Sequence, residues 1–255
     1  MSTTRSRALP HATSVLAVCA HPDDESFGLG AVLHRFAAQG AALAVLCFTR
    51  GEASTLGVTH ARLGEVRHAE LTDAARMLGV GQVELLDHPD GSLASEPLDR
   101  LAEEVKLCAR KVEADLVLVF DEGGVTGHPD HCRATEAAVA GVPALPVLAW
   151  AVPRRVADML NAQFHTAFIG RSTEEIDVVV PVDRGAQSRA IACHASQCVD
   201  NPVLERRLAL LGDAEYLRWL RTPTAAKSGG PDPAPPRGPD PAPLGPDPAP
   251  LTPTA

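Results

Sequence analysis

Every position of Ser14-Val-Leu-Ala-Val-Cys19 is apolar or small, with no alternation between a wet and a dry side. A strand of that kind is buried on both faces, and such strands belong to parallel sheets covered by helices on each side. Short, mainly apolar runs recur at Ala42–Phe48, Val83–Asp87, Leu116–Phe120, Val147–Val152 and Ile176–Val182. Between them lie helix-length amphipathic segments over residues 25–39, 60–78, 97–112, 130–140 and 183–195, with a last one over 215–221. Gly40 and Gly79 stand where two of these helices must stop. Strand and helix in alternation predict an α/β fold: a Rossmann-like three-layer domain around a mostly parallel sheet. Ligands of such sheets sit in the crevice at the carboxyl ends of the strands. The loops after Cys19, Phe48, Asp87 and Phe120 are therefore where chemistry is expected.

Twelve of the 22 prolines fall between Pro223 and Ala255, in a heptad Gly-Pro-Asp-Pro-Ala-Pro-x that starts at Gly230, Gly238 and Gly245. Proline removes backbone donors, and the repeat offers only Leu244 and Leu251 for burial, so a disordered, Pro-rich tail over 223–255 is expected. The folded domain is then expected over 13–222, behind a flexible N-terminus of 1–12. The net charge is -9, and its distribution is uneven. Residues 1–150 hold 12 Lys/Arg against 20 Asp/Glu, whereas 151–255 hold 11 against 12. A nucleic-acid binder shows the opposite sign and more than 4% aromatic residues, so nucleic acid is not an expected partner. No apolar stretch approaches the roughly 20 residues that span a bilayer, and Met1–Thr13 lacks a signal-peptide core. A cytoplasmic location without membrane insertion follows as the expectation. Six cysteines without a C-x-x-C pair then read as reduced thiols, with Cys19 and Cys47 in the core.

The tripeptide His-Pro-Asp occurs three times, at residues 21, 88 and 128, each just past an expected strand end. The first continues to Asp24 and Glu25 and the third to His131, so each presents a second metal-ligand type at i+3. Such a pair on the opening turn of a helix points both side chains the same way, and the proline fixes the backbone between them. His21, Asp24 and one of His128 or His131 make a two-histidine, one-carboxylate set with an open position, as a catalytic zinc site requires. The same donors suit ferrous iron. Spacing leaves His128 and His131 equivalent. Asp23, Glu25 and Asp130 remain as base or supporting carboxylates. His88-Pro89-Asp90 runs into Gly91, offers no second ligand, and by itself reads as a helix cap.

Ala20-His-Pro-Asp-Asp-Glu25 and His128-Pro-Asp-His131 resemble the PIG-L/LmbE-like family of metal-dependent N-deacetylases. Further segments in the same order are similar: Thr49-Arg-Gly-Glu52, Arg67-His-Ala-Glu70, Leu86-Asp-His-Pro-Asp-Gly91 and His194-Ala-Ser-Gln197. The resemblance implies that His21, Asp24 and His131 hold the metal, zinc or ferrous iron. It makes Asp23 the general base, and His128 an oxyanion stabiliser or acid. It places Arg67 and Asp90 on the sugar of the substrate, which returns the second tripeptide to the site. The activity implied is hydrolysis of the amide of an N-acetylglucosamine-type sugar or glycoconjugate by a metal-activated water.

A thiol-conjugate amidase of the same fold is the alternative, and a silent metal- or sugar-binding module is the rival of another class. The partner implied is a small amino sugar, with a homo-oligomer compatible and no partner named by the tail repeat. Among the other residues, His194 is a further site candidate, Glu52 a candidate for orienting the metal ligands, and Arg206-Arg207 reads as a solvated helix face.

Overall fold

The computed structural model describes residues 6–56 and 62–223. Five strands run parallel: β1 (Ser14–Cys19), β2 (Ala42–Thr49), β3 (Gln82–His88), β4 (Leu116–Phe120) and β5 (Val147–Trp150). A two-strand ladder, β6 (Val152–Pro153) with β7 (Gly170–Arg171), lies apart. The main sheet is completed by β8 (Val178–Pro181) and β9 (Ala214–Arg221) in the order β3-β2-β1-β4-β5-β9-β8, with β9 antiparallel to both neighbours. The helices are α1 (Asp24–Phe27), α2 (Gly30–Ala38), α3 (Leu63–Leu78), α4 (Leu98–Lys111), α5 (Gly124–Gly127) and α6 (Pro129–Gly141). They continue as α7 (Arg154–Phe164), α8 (Gly185–Cys193), α9 (Ala195–Cys198) and α10 (Pro202–Leu211).

The continuous apolar strands do what their composition demands. All six residues of β1 are buried, and alternate side chains feed two separate cores. Val15, Ala17 and Cys19 meet Leu33 and Phe36 of α2 and Leu71 and Leu78 of α3 on one side. Leu16 and Val18 meet Leu101 and Val105 of α4 and Ala134 and Ala138 of α6 on the other. Helix, sheet and helix thus form the three layers expected. The six cysteines are all free thiols, with Cys19 and Cys47 inside the core. Among the described residues no helix is long and apolar enough to cross a membrane.

Several boundaries differ from the expectation. The segment 25–39 is two helices, because the chain turns at Gly28-Leu29; a side chain at Gly28 would collide with the rings of Phe120 and Trp150. The run 147–152 divides at Ala151. Residues 215–221, expected helical, form β9, where Glu215 and Leu217 point inward with the two-residue period of a strand. α7 was not anticipated, and α10 only as the helix whose solvated face Arg206-Arg207 was read to form. The stretch 6–12 is anchored rather than loose: Ser6 exchanges backbone bonds with Asp177 and Val179, and Leu9 and Ala12 are buried. His60 and Ala61, read as the start of the second long helix, lie outside the described residues, as does the proline-rich tail from Thr224 on.

Candidate active site

From β1 the chain proceeds outward through β2 to β3, then returns to place β4 on the other side of β1 and continues to β5. The carboxyl ends of β1 and β4 therefore flank the point where strand order reverses, the place such sheets leave open for a ligand. The first and third His-Pro-Asp segments follow these two strands. They meet there, at the floor of a cavity of about 460 Å³.

His21 Nδ1 lies 3.1 Å from His131 Nε2, and Asp24 Oδ1 lies 3.2 Å from the same His131 nitrogen. The other partners fix what these atoms carry. His131 Nδ1 is 3.0 Å from the Gly124 carbonyl, so it bears the proton and donates it, leaving a lone pair on Nε2. His21 Nε2 faces Asp90 Oδ1 at 3.1 Å and Asp130 Oδ2 at 3.4 Å, so it too is a donor, and Nδ1 keeps its lone pair. Asp24 Oδ2 accepts from the backbone of Ala20 and His21, both at 3.0 Å, which leaves Oδ1 free. With both rings neutral in these tautomers three lone pairs thus converge, an arrangement that a cation bound between them would stabilise. Ligand atoms of a tetrahedral ion stand about 3.3 Å apart when the bonds are near 2.0–2.1 Å, so the spacing fits such an ion. Burial by itself lowers the His21 pKa, but hydrogen bonds to Asp130 and Asp90 outweigh it and push it up to about 10. Burial would raise Asp24, yet His131 and His21 hold it well below the usual carboxylate range. Both shifts record imidazoles and carboxylates packed together; the lone pair on His21 Nδ1 belongs to the neutral ring, the form a metal ion selects.

A second grouping, His21, His128 and Asp130, also brings ligand atoms together. Its carboxylate is already committed: Asp130 Oδ2 accepts from Gly91 N at 2.8 Å and Oδ1 from Leu93 N at 3.0 Å. His128 Nδ1 accepts from Asp130 N at 3.2 Å, capping α6. The set His21, Asp24, His131 is the one whose lone pairs are unspent. Of the two histidines that spacing left equivalent, His131 is the one with an unspent lone pair beside Asp24. With Nδ1 used as an acceptor, neutral His128 carries its proton on Nε2, and it lines the cavity. Burial and the neighbouring His21 and His131 lower its pKa, which favours that neutral form.

Asp23 precedes α1 in a backbone conformation with φ 132°, which L-residues rarely adopt. Its N–H donates to Glu25 Oε2 at 3.0 Å, and Arg67 donates to its Oδ2 at 3.0 Å. Oδ1 has no partner among the described residues, and the side chain lines the cavity. Burial pushes the Asp23 carboxyl up to about 6, against the pull of the Arg67 guanidinium. Arg67 itself is buried, and its other bonds go to the carbonyls of Gly51 and Pro22. Expected on the sugar, Arg67 lines the cavity while Nη1 and Nη2 hold Asp23 and two loops, and its buried Nε has no partner among the described residues. Asp90, also expected on the sugar, lines the cavity but gives Oδ1 to His21 and Oδ2 to Ala53 N at 2.9 Å. Glu52 accepts from Asp90 N at 3.0 Å, so it orients the carboxylate that faces His21. His88-Pro89-Asp90 caps no helix; His88 turns away to Glu104 at 2.8 Å.

His194 Nε2 pairs with Glu25 Oε1 at 2.7 Å, with both side chains fully buried. Its link to the site runs through Glu25 to the backbone of Asp23. Arg207, read with Arg206 as a solvated helix face, was not expected at the site. Instead of a solvated face it is 7% exposed, lines the cavity and stacks 5.2 Å from the Trp150 ring. Asn201-Pro202 was the available signal: Asn201 Oδ1 accepts from Leu204 N at 3.0 Å with proline at the first helical turn, a start that puts Arg207 on the inner face of α10.

Residues 16–142 match the family model described as PIG-L: GlcNAc-PI de-N-acetylase. A 1D-myo-inositol 2-acetamido-2-deoxy-alpha-D-glucopyranoside deacetylase from Kineococcus radiotolerans is 34% identical over 156 residues, which is 49% of this chain and 43% of that one. The protein of the same name from Nakamurella multipartita is 30% identical over 262 residues, covering 81% of this chain and 88% of that one. The match thus spans less than half of the first relative and most of the second. Among solved structures, the N,N'-diacetylchitobiose deacetylase from Pyrococcus horikoshii has a TM-score of 0.62 at 23% identity, over 82% of this chain and 84% of that chain. The 4-carboxy-2-hydroxymuconate hydratase GalB from Pseudomonas putida has a TM-score of 0.66 at 19% identity, over 84% and 98%. At these identities the likeness is one of fold.

Proposed function

Since the chain belongs to the PIG-L family of de-N-acetylases, we propose that it is a metal-dependent hydrolase that removes the acetyl group from an N-acetylglucosamine-type sugar or glycoconjugate. The observation that carries this reading is the convergence of three unspent lone pairs, on His21, Asp24 and His131, beside an unpaired oxygen of Asp23 in one cavity. The fold alone would not decide it, because a hydratase shares the architecture.

His21, Asp24 and His131 would hold a zinc or ferrous ion. A bound divalent cation supplies Lewis acidity, lowering the pKa of water and polarising a carbonyl oxygen. Asp23 Oδ1 removes a proton from the water that attacks the amide carbon. A carboxyl group near 6 is ionised at neutral pH and still basic enough to take that proton. His128, neutral and with its proton on Nε2, donates to the oxygen on which charge develops and needs no change of protonation to do so. Asp23 then returns its proton to the nitrogen, and the carbon–nitrogen bond breaks to acetate and free amine. Arg67 and Glu25 keep Asp23 in its unusual backbone conformation throughout. Asp90 and Asp130 fix the ring of His21.

The test is release of acetate from N-acetylglucosaminyl substrates, with thiol conjugates screened alongside, by protein loaded with zinc or ferrous iron. Asp23→Asn is expected to retain the metal while turnover falls by about 10²–10⁴-fold, the usual contribution of a positioned base. His21→Ala and His131→Ala are expected to lose the metal itself. Equal turnover by Asp23→Asn would remove Asp23 as the base, and a fully folded wild type unable to take up metal would overturn the reading.

A further inference from the structure

Arg207 is a buried cation that the chemistry above does not use. One amino group of its guanidinium donates to the Phe27 carbonyl at 2.6 Å, and its plane lies over Trp150. Its Nε has no partner, and among the described residues no carboxylate comes within salt-bridge distance. The acid whose field it feels most, Glu215, is committed elsewhere: Oε2 accepts from Trp150 Nε1 and Oε1 from Arg184, each at 2.6 Å. Arg184 thus takes the Glu215 carboxylate in direct contact, and Arg207, which feels Glu215, Asp23 and Asp24 only at a distance, lines the cavity without a contact ion pair.

Burying an unpaired charge is among the least favourable things a fold can do. Burial pulls the Arg207 pKa down to about 10, which still leaves it charged at neutral pH. The residue is not remote from the reaction. His131 touches Phe120 with ring centroids 5.0 Å apart, Phe120 touches Trp150 at 5.3 Å, and Trp150 carries Arg207. One aromatic wall of the cavity therefore leads from a metal-ligand histidine to a guanidinium that lacks a counter-ion.

We propose that Arg207 receives a carboxylate of the substrate, separated from the scissile amide by an apolar span that lies along Phe120 and Trp150. The proposal rests on the amide-hydrolase reading and narrows its substrate class to anionic N-acylated amino sugars. The carboxylate could sit on the aglycone or at the far end of the acyl group. The chemistry at Arg207 is the same in both cases, a charge-assisted bond that strengthens on leaving water.

Two probe pairs separate these sources. The 4-carboxyphenyl glycoside of N-acetylglucosamine is compared with its 4-carbamoylphenyl counterpart, and N-succinyl-glucosamine with its terminal amide. Binding to the metal-loaded Asp23→Asn protein is measured by calorimetry, which needs no turnover, and amine release by the unaltered enzyme is followed separately. In one pair the acid is expected to bind at least about tenfold more tightly than the amide, and Arg207→Gln in the same background is expected to bring that ratio close to one. A carboxylate held by the cation alone would keep its advantage in Arg207→Gln, and that result overturns the proposal. Equal binding of acid and amide in both pairs overturns it as well, without recourse to any Arg207 variant that fails to fold. Acid preference at Arg207 without hydrolysis of any probe would uphold the anion site and overturn the amide-hydrolase reading instead.

Discussion

Asp23, like Val125, lines the cavity in a backbone conformation that L-residues rarely adopt. Its φ of 132° must be maintained by neighbours, because a non-glycine residue there costs of the order of 1–3 kcal/mol. Arg67 is the main restraint, since one guanidinium ties the Asp23 carboxylate to the carbonyls of Pro22 and Gly51. Gly51 is itself at φ 65°, and a side chain on it would overlap the Arg67 guanidinium. Arg67→Ala and Gly51→Ala should therefore damage the same interaction from two sides. Each is expected to lower kcat by tenfold or more with metal content unchanged. The double variant should be little worse than either alone, since coupled residues are not additive. Additive losses in steady-state kinetics would show that Gly51 acts independently of Arg67. Asp23 could be singled out from the sequence, because its motif resembles a known one. That Arg67 also holds Asp23 was not legible there, because a side chain's partners depend on loops 16 and 44 residues away.

At the scale of elements, the parallel core was readable because both-face burial leaves an unbroken apolar run, and β1, β2 and β4 carry it almost unaltered. The antiparallel edge was not. Ala214-Glu-Tyr-Leu-Arg-Trp-Leu-Arg221 places large residues at spacings a helix also satisfies, and only the unpaired edge of β5 decides for a strand. Glu215 is buried there because Trp150 and Arg184 reach it, which no local pattern announces. Helix packing makes a sharper demand on the other face. α6, which is capped by His128 and carries His131, crosses α4 so closely that a side chain at Gly141 would overlap the Ala102 carbonyl. Gly141→Val must drive the two helices apart, at a cost of about 1–3 kcal/mol for an overpacked contact. For a domain of this size the melting temperature should fall by roughly 2–12 °C. Gly141 lies at the opposite end of α6 from the metal-ligand histidine, so metal content should persist below the transition. An unchanged melting curve would mean that the α4–α6 spacing is not set there.

For the whole molecule, the reversal of strand order matters more than any one loop. It brings segments separated by more than a hundred residues to one crevice, as in the 110-residue separation of His21 and His131. It also explains part of the acidic excess of the N-terminal half, since Asp23, Asp24, Glu25, Asp90 and Asp130 all stand at or behind the proposed cation. The last strand closes this arrangement. Arg221 of β9 donates to the carbonyls of Val139, Val142 and Leu145 at the end of α6, and Arg218 pairs with Asp121 at 2.9 Å beyond β4. We propose that the catalytic domain ends just past this strand, near Thr222. The proline heptads that follow offer only Leu244 and Leu251 for burial. A chain stopped after Pro223 should then match the full chain in melting temperature, metal content and turnover. One stopped after Leu217 removes both arginine anchors, and half of β9 with them, and should not give a cooperative melt. If the first truncation instead lost several degrees of melting temperature or most of its turnover, the tail would have to be counted as part of the enzyme.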